Sequence, residues 1–361
     1  MIKIQTYHQI DQQQWKDLIQ VSPVATWFQT PEAYRFYQSV DGMRAFAYGV
    51  SELGRLVGVV VGYTTKEKCK LKQHFTARTI IPGGPLLSQE ITDKALSTLL
   101  ITLYEKLDNT IYIESRNYND YSQWKSVFES CGFIYNQHLN FHVDTSSIKL
   151  AQFRIGKHRW RYIRLSMRDG AKIIDNPSID QVRAFYDILV DLYTTKVKTP
   201  LWSWEFFERL YYVEHAKYIL VELDGKIVGG TACVCLPGKA VYEWYACGLD
   251  NCRDDIRPLS VAIWGEMQYA AENGYPLFDF MGAGKPNEPY GVRDFKAEFG
   301  GELVEHGRFL CIRKPLLYWI GKMGVKLLKR RKAPNPSNDL MDLNDFKDFK
   351  GTPTKKLKIF A

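Results

Sequence analysis

Apolar positions along the chain predict the same group of elements twice. β-branched and other apolar runs flank Leu53-Gly54-Arg55 and again flank Asp224-Gly225, and each run predicts two antiparallel strands joined by a tight turn. Elsewhere, apolar residues recur at helical spacing. Helices are predicted at 12–20, 31–39, 91–107, 121–130, 180–193, 203–212 and 258–273. Further strands are predicted at 111–115, 133–144, 240–249 and 277–284.

The two halves of the chain also match in their letters. SELGRLVGVVVG near residue 51 is similar to VELDGKIVGGTAC near residue 221, and FESCGFIYNQHLNFHVD near 128 is similar to KAEFGGELVEHGRFLCI near 296. Both matches have an offset of about 170 residues, which favours two copies of one unit. We expect one domain over 1–148 and a second over 149–312.

Each predicted copy runs helix, antiparallel strands, helix, strand, helix, strand. This order is similar to that of the GCN5-related N-acetyltransferase (GNAT) fold. The fold class we expect is therefore α/β with mixed sheets, arranged as two tandem GNAT-like acyltransferase domains.

Composition fits a soluble, two-domain protein. The chain has 361 residues, 45% hydrophobic and 24% charged, which excludes disordered and coiled-coil classes. The first residues lack the pattern of a secretory signal, and no run of about 18 apolar residues predicts a membrane span, so we expect a cytoplasmic protein. Seven cysteines without metal-ligand spacing favour free thiols over a zinc site, and no metal is expected.

Positive charge is concentrated near the C-terminus. Of a net charge of +8, residues 313–332 supply eight Lys and Arg and no acid, which leaves residues 1–312 near neutral. The segment predicts a basic amphipathic helix that lies on the anionic inner face of the membrane. The alternative is a helix that docks on the protein with a solvated basic end. Residues 333–361 are expected to form a partly disordered tail.

Residues 278–302, FDFMGAGKPNEPYGVRDFKAEFGGE, resemble the C-terminal signature of the FemABX peptidyltransferase family, a strand aspartate, a glycine-rich loop and Phe-Lys-x-x-Phe-Gly. The stretches 27–34, 80–88 and 153–173 agree with the family as well. The chain departs from the pattern at Gly83, where the family commonly has arginine. It also lacks the helical arm of some members and is similar to their short form.

The resemblance implies an aminoacyltransferase that takes its amino acid from aminoacyl-tRNA and adds it to the stem peptide of a lipid- or UDP-linked muropeptide precursor. No other cofactor is implied. A second hypothesis is an acyl-CoA-dependent N-acyltransferase that acts on an envelope sugar or amino acid. Residues 251–264 count against coenzyme A, because they contain no glycine and two acids where a pyrophosphate-binding turn would lie. A third hypothesis is a non-catalytic adaptor that binds the precursor or RNA.

Lys296, the lysine of the Phe-Lys motif, is the candidate catalytic residue. Aminoacyl transfer from an ester passes through a tetrahedral oxyanion, which a fixed cation stabilises. Phe295 is expected to help hold the ammonium, and Asp279 to order the glycine-rich loop. A surface lysine on an amphipathic helix is the alternative for Lys296, and a simple hydrogen-bond acceptor at the strand end is the alternative for Asp279.

The basic stretch 153–173 predicts an anion-binding helix face. Arg161 and Arg164 share one face with Lys157 and Arg168, and such a face suits a phosphodiester backbone or a pyrophosphate. A plain solvated face is the alternative. Other candidates for substrate binding come from a loop between helices, an aromatic strand and the glycine-rich loop. They are Lys196, Lys198, Tyr245, Lys285 and Tyr290. A core position is the alternative for Tyr245, and a solvated loop is the alternative for Lys196 and Lys198.

Overall fold

Two units make up the chain in the computed structural model, which describes residues 1–65, 76–197, 200–249, 252–332 and 357–360. Unit 1 contains Met1–His138 and the chain from Glu305 through the last long helix. Unit 2 contains Leu139–Val304 together with the final short strand.

Unit 1 is built around one mixed sheet with the strand order β1-β2-β3-β4-β6-β15-β7, in which β5 also pairs with β3. Its strands are β1 (Ile2–Thr6), β2 (Met43–Glu52), β3 (Arg55–Thr65), β4 (Thr79–Gly83), β5 (Leu86–Leu87), β6 (Tyr112–Asn117), β7 (Ile134–Asn136) and β15 (Arg308–Ile312). Its helices are α1 (Gln12–Val21), α2 (Pro31–Ser39), α3 (Asp93–Lys106), α4 (Lys125–Ser130) and α11 (Pro315–Lys332). The core lies between the sheet and α3, α4 and the loops next to them.

Local sequence explains where these elements begin and turn. The predicted hairpin of β2 and β3 is confirmed, and it turns at Leu53 and Gly54, both with positive φ. The predicted helix at 31–39 is confirmed as α2, which has proline in its first turn and Thr30 as its N-cap. Thr92 caps α3 in the same way.

Unit 2 repeats this plan with a second mixed sheet of order β14-β8-β13-β12-β11-β10-β9. Its strands are β8 (Leu139–Asp144), β9 (Lys172–Ile174), β10 (Ala216–Leu223), β11 (Lys226–Leu236), β12 (Ala240–Leu249), β13 (Leu277–Asp279), β14 (Glu302–Glu305) and β16 (Leu357–Phe360). Its helices are α5 (Ile148–Arg154), α6 (Lys157–Arg168), α7 (Ile179–Leu192), α8 (Trp204–Tyr211), α9 (Pro258–Glu272) and α10 (Gly291–Ala297). The α9 helix is buried along most of its length against β10, β11 and β12.

The two repeats exchange a strand, which moves the predicted domain boundaries. Residues 133–144 are predicted as one strand, but the structure splits them into β7 in unit 1 and β8 in unit 2. In return, β15 from the second repeat lies between β6 and β7 in unit 1, while β8 lies between β13 and β14 in unit 2. The division therefore falls at 138/139, and the segment 305–312 belongs to unit 1.

Strands β12 and β13 place the candidate site. They run parallel and are paired only from Ala240 to Tyr242 on β12, where β13 ends at Asp279. Further along β12, the edge from Ala246 to Leu249 pairs with β16 instead. Residues 357–360 of the predicted tail thus form a strand, and 333–356 lie outside the described residues.

Candidate active site

A buried carboxylate organises the glycine-rich loop that follows β13. Asp279 Oδ1 accepts hydrogen bonds from Asn140 Nδ2 at 2.7 Å and from the Met281 amide at 2.5 Å, and its Oδ2 lies 3.2 Å from His142 Nε2. The Asn140 side-chain oxygen accepts in turn from the Gly282 amide at 2.7 Å. These contacts tie Asp279 to the first residues of the loop, where Met281 has a left-handed conformation (φ +56°).

Lys296 reaches this loop from α10. Its Nζ donates hydrogen bonds to the carbonyl oxygens of Phe280 at 2.8 Å and Gly282 at 2.9 Å. The residue is only 3% exposed. It is therefore not a surface lysine, and its ammonium lies beneath the loop, bound to the backbone.

Glu243 lies on the other side of the ammonium. Its Oε1 is 3.7 Å from Lys296 Nζ, and both side chains are almost fully buried. A β-bulge places it there: β11 pairs Ala232 with Tyr245 but the next residue, Cys233, with Glu243, so Trp244 is the extra residue on β12.

A second buried acid lies deeper in unit 2. Glu266, on α9, is fully buried, and Thr231 and Cys233 of β11 interact with its carboxyl group. Burial and the charge of Glu243 raise its pKa well above the usual value. Both effects favour the protonated form of Glu266.

Burial also shifts the two partners of the ion pair. It raises the pKa of Glu243 from 4.5 to about 7, although the nearby Lys296 opposes this shift. It lowers the pKa of Lys296, which Glu243 and Asp279 partly restore. The centre thus combines a buried cation with an acid that titrates near neutral pH.

A buried arginine, Arg159, contacts residues of the Phe-Lys-x-x-Phe-Gly motif. Arg159 on α6 donates to Glu298 at 3.1 Å and to the Ser260 hydroxyl at 2.8 Å, and its guanidinium lies 4.2 Å from the centre of the Phe295 ring. Phe295 packs in turn on Phe299. Phe295 is buried in the core of unit 2, and the centre of the Phe280 ring lies 5.2 Å from the Lys296 ammonium.

The predicted basic face of α6 is present on the surface. Lys157, Arg161, Arg164 and Arg168 are all exposed. Arg168 is bound to its neighbour Asp169, with Nε 2.7 Å and Nη2 3.0 Å from the carboxylate. Lys157, Arg161 and Arg164 are therefore better placed than Arg168 to meet a polyanion.

The remaining candidates are found in different settings. Lys285 is half-buried on the loop and 3.2 Å from Glu288, while the Tyr290 ring is buried against Gly284. Lys196 is half-buried in the turn after α7, and Lys198 lies outside the described residues. Tyr245 is buried in the core and packed on Phe207 with ring centres 4.9 Å apart, and its expected role in ligand stacking stays a prediction.

The backbone of unit 1 explains why glycine occupies position 83, where the family commonly has arginine. The φ of Gly83 is +75°, and a Cβ atom there would collide with the Thr26 hydroxyl. Its carbonyl oxygen accepts hydrogen bonds from Gln29 Nε2 at 3.0 Å and from the Tyr121 hydroxyl at 2.8 Å. The backbone at this position requires glycine.

Sequence reasoning missed Glu243, Glu266, Arg159 and Asn140. A signal existed for the first two, since each is an acid within an otherwise apolar buried segment, AVYEWYACG on β12 and VAIWGEM on α9. A charge in such a segment is rare unless it has a partner. Arg159 was hidden because four other cations on the same helix fit a surface face.

Comparison with known proteins bears on both units. Residues 158–296 match the family model described as an acetyltransferase (GNAT) domain. No curated protein matches the chain. The structure of FemX is similar over 88% of this chain and 99% of its own, with a TM-score of 0.69 at 15% identity.

Two other solved structures share the fold. The C-terminal domain (DUF2156) of a putative lysylphosphatidylglycerol synthetase from Agrobacterium fabrum has a TM-score of 0.53 at 13% identity, covering 87% of this chain and 95% of its own. A tandem GNAT protein from the clavulanic acid biosynthesis pathway has a TM-score of 0.52 at 11% identity, covering 87% and 99%.

These similarities confirm the predicted fold class and the predicted FemABX resemblance at the level of the fold. The chain has a FemABX-like tandem GNAT fold, and residues 158–296 in its second unit match an acetyltransferase (GNAT) family model, which supports an acyltransferase.

Proposed function

We propose that this acyltransferase moves an amino acid from aminoacyl-tRNA to the stem peptide of a lipid- or UDP-linked muropeptide precursor. The observation that carries the proposal is the buried Lys296 of the Phe-Lys-x-x-Phe-Gly motif, bound to the carbonyls of the loop after Asp279. The similarity of the fold to FemX supports it.

The reaction exchanges an ester for an amide. An amine of the acceptor attacks the ester carbonyl carbon, a C–N bond forms, and the C–O bond to the tRNA ribose breaks. The proton released by the amine ends on the ribose hydroxyl. Negative charge builds on the carbonyl oxygen before the C–O bond breaks, and this is where the protein gains most by electrostatic stabilisation.

Lys296 contributes as a positioning residue. It fixes the carbonyls of Phe280 and Gly282 and places a positive charge directly beneath the loop. In a buried setting that field acts over a longer range than in water. A substrate carbonyl seated on the loop would feel this field without touching the ammonium.

Binding of the donor is assigned to the exposed face of α6. Arg161 and Arg164 offer two cations to a phosphate backbone, and such contacts give affinity without sequence preference. This matches a donor whose large anionic part is the same whichever amino acid it carries.

An acyl-CoA donor is the second candidate, which the acetyltransferase description of residues 158–296 favours. The start of α9 argues against it. The turn before the helix has Asp254 and Asp255, with Arg253 bound to Asp255 at 2.9 Å. A Cβ on Gly248 would stand 2.6 Å from the Leu259 amide nitrogen, so β12 already lies close to the first turn of the helix. Acids at this position repel a pyrophosphate.

Product mass tests the proposal. The full-length protein is incubated with a UDP-linked muropeptide and either a mixture of aminoacyl-tRNAs or acetyl-CoA. With charged tRNA, we expect the muropeptide to gain the mass of one amino-acid residue. Treatment of the charged tRNA with ribonuclease before the reaction should prevent this gain. Addition of an acetyl group instead would establish the acyl-CoA reaction, and no product with either donor would favour the non-catalytic adaptor.

A further inference from the structure

The last long helix of unit 1 presents an apolar stripe to solvent. Four large side chains on α11 are more than half exposed, at positions that follow helical spacing. They are Leu316 (73%), Trp319 (63%), Ile320 (54%) and Met323 (58%). We call this set the outer stripe.

Contacts on the opposite side fix the direction of the outer stripe. The amides of Arg313 and Lys314 donate to the Ile111 carbonyl at 2.8 and 3.0 Å, and the Tyr318 ring packs on Tyr112 with centres 5.7 Å apart. Arg313 and Lys314 anchor the chain just before the helix, and Tyr318 lies on the helix side opposite the outer stripe, so the outer stripe faces away from the body of unit 1. Its exposure follows from how the helix docks.

Basic residues precede and follow the outer stripe along the chain. Residues 313–332 contain eight Lys and Arg and no acid, and five of them lie beyond Met323. Large apolar side chains on one side of a helix, with basic residues along its length, are typical of a helix that lies in the surface of a membrane. Among the helices that the structure describes, none has the length and apolar character needed to cross a bilayer.

We propose that α11 binds an anionic lipid surface, with the outer stripe inserted among the acyl chains and the basic residues at the level of the headgroups. A second copy of the chain fits this face poorly, since pairing two stripes would bring together two helices that each carry six cations and no acid. RNA fits it poorly as well, because bases stack on aromatic rings, and three of the four side chains are aliphatic. The proposal is independent of the transfer reaction.

Vesicle binding of the full-length protein is the test. Vesicles of phosphatidylcholine alone are compared with vesicles that contain one third phosphatidylglycerol, at low and at high salt. The Trp319→Ser/Ile320→Ser variant removes half of the outer stripe. The matched control is Val21→Ser/Tyr212→Ser, which changes two apolar residues of similar exposure elsewhere (74% and 73%).

We expect binding only to the anionic vesicles, about a tenfold or greater loss in the stripe variant, no loss in the control, and weaker binding at high salt. Brominated lipids should quench part of the tryptophan fluorescence of the wild type, and that part should disappear in Trp319→Phe. Equal binding of the stripe variant and the wild type, or no binding to either kind of vesicle, would overturn the proposal. So would a stripe variant that loses affinity for mixed tRNA, or that changes from dimer to monomer, while its lipid binding is unchanged.

Discussion

Lys296 Nζ lies 3.7 Å from Glu243 Oε1 in the interior of unit 2, where water reaches neither group. A buried ion pair does not by itself stabilise the folded state, because the cost of removing both charges from water is about as large as their attraction. Here the ammonium also donates two hydrogen bonds to the loop, and the acid titrates near neutral pH.

The raised pKa of Glu243 gives a prediction for stability against pH. The folded protein holds this proton more tightly than the unfolded chain does, so the contribution of Glu243 to stability is greatest at low pH and falls as pH rises from 4.5 to about 7. Glutamine cannot titrate. The free energy of unfolding of wild type relative to Glu243→Gln should therefore fall by about 3 kcal/mol between pH 4.5 and 8.

Urea denaturation at four pH values measures this difference. Glu272→Gln, an exposed glutamate on α9, is the matched control and should show little difference from wild type across the range. A constant offset between wild type and Glu243→Gln would show that Glu243 does not titrate in this window.

Loss of the Lys296 charge should slow the transfer and leave the fold in place. Lys296→Met keeps most of the volume of the side chain and removes the charge and both hydrogen bonds to the loop. We expect kcat to fall about 10²- to 10³-fold with KM changed only slightly, because the field acts on developing charge. Lys94→Met on α3, an exposed lysine, should be unchanged. Turnover above half of the wild-type value would remove Lys296 from the reaction.

Reversal of charge on α6 should weaken binding of a polyanion. In Arg161→Glu/Arg164→Glu two exposed cations become acids, and the affinity for mixed tRNA should fall together with its salt dependence, by about one unit of slope for each phosphate that is no longer neutralised. Arg183→Glu/Arg209→Glu is the control, since both of these exposed arginines are already bound to acids on their own helices. Anisotropy titrations from 50 to 200 mM salt give both quantities, and equal slopes for all three proteins would assign the α6 face to solvation.

The glycine that ends the Phe-Lys-x-x-Phe-Gly motif should tolerate no side chain. Gly300 has φ +78°, and a Cβ atom there would collide with the Arg154 carbonyl group. Gly274, with φ +74°, has open space around it. Gly274→Ala should therefore cost about 1 kcal/mol of stability from backbone strain alone, and Gly300→Ala about 3 kcal/mol or more. Thermal unfolding compares the two, and equal losses would show that the close approach at Gly300 contributes nothing.

Local elements followed from the sequence because local physics determines them. Thr30 followed by Pro31 indicates the start of a helix, and the glycines at 53–54 and 224–225 indicate tight turns, whatever the overall fold. The partner of a strand is different. The alternation in 133–144 shows which residues face inward but not which sheet they join, so the division into β7 and β8 could not be foreseen.

The site was predicted where the chemistry lies in one continuous motif and was missed where it depends on packing. Asp279 and Lys296 were found because they stand in one recognisable stretch. Glu243 reaches the ammonium only through the bulge at Trp244, and Arg159 is buried only because Glu298 and Ser260 meet it there. Neither the bulge nor the burial of Arg159 can be predicted from the residues next to it in the sequence.

The exchange of β8 and β15 has a consequence during synthesis on the ribosome. β7 has only β15 as its sheet partner among the described strands, and β15 is made about 170 residues later. At ordinary rates of translation this interval lasts roughly 10–35 seconds. During that time one edge of β6 has no neighbour and is open to wrong pairing. The N-terminal part of unit 1 therefore emerges from the ribosome as an incomplete sheet, and its β6 edge stays open to wrong pairing until β15 is made.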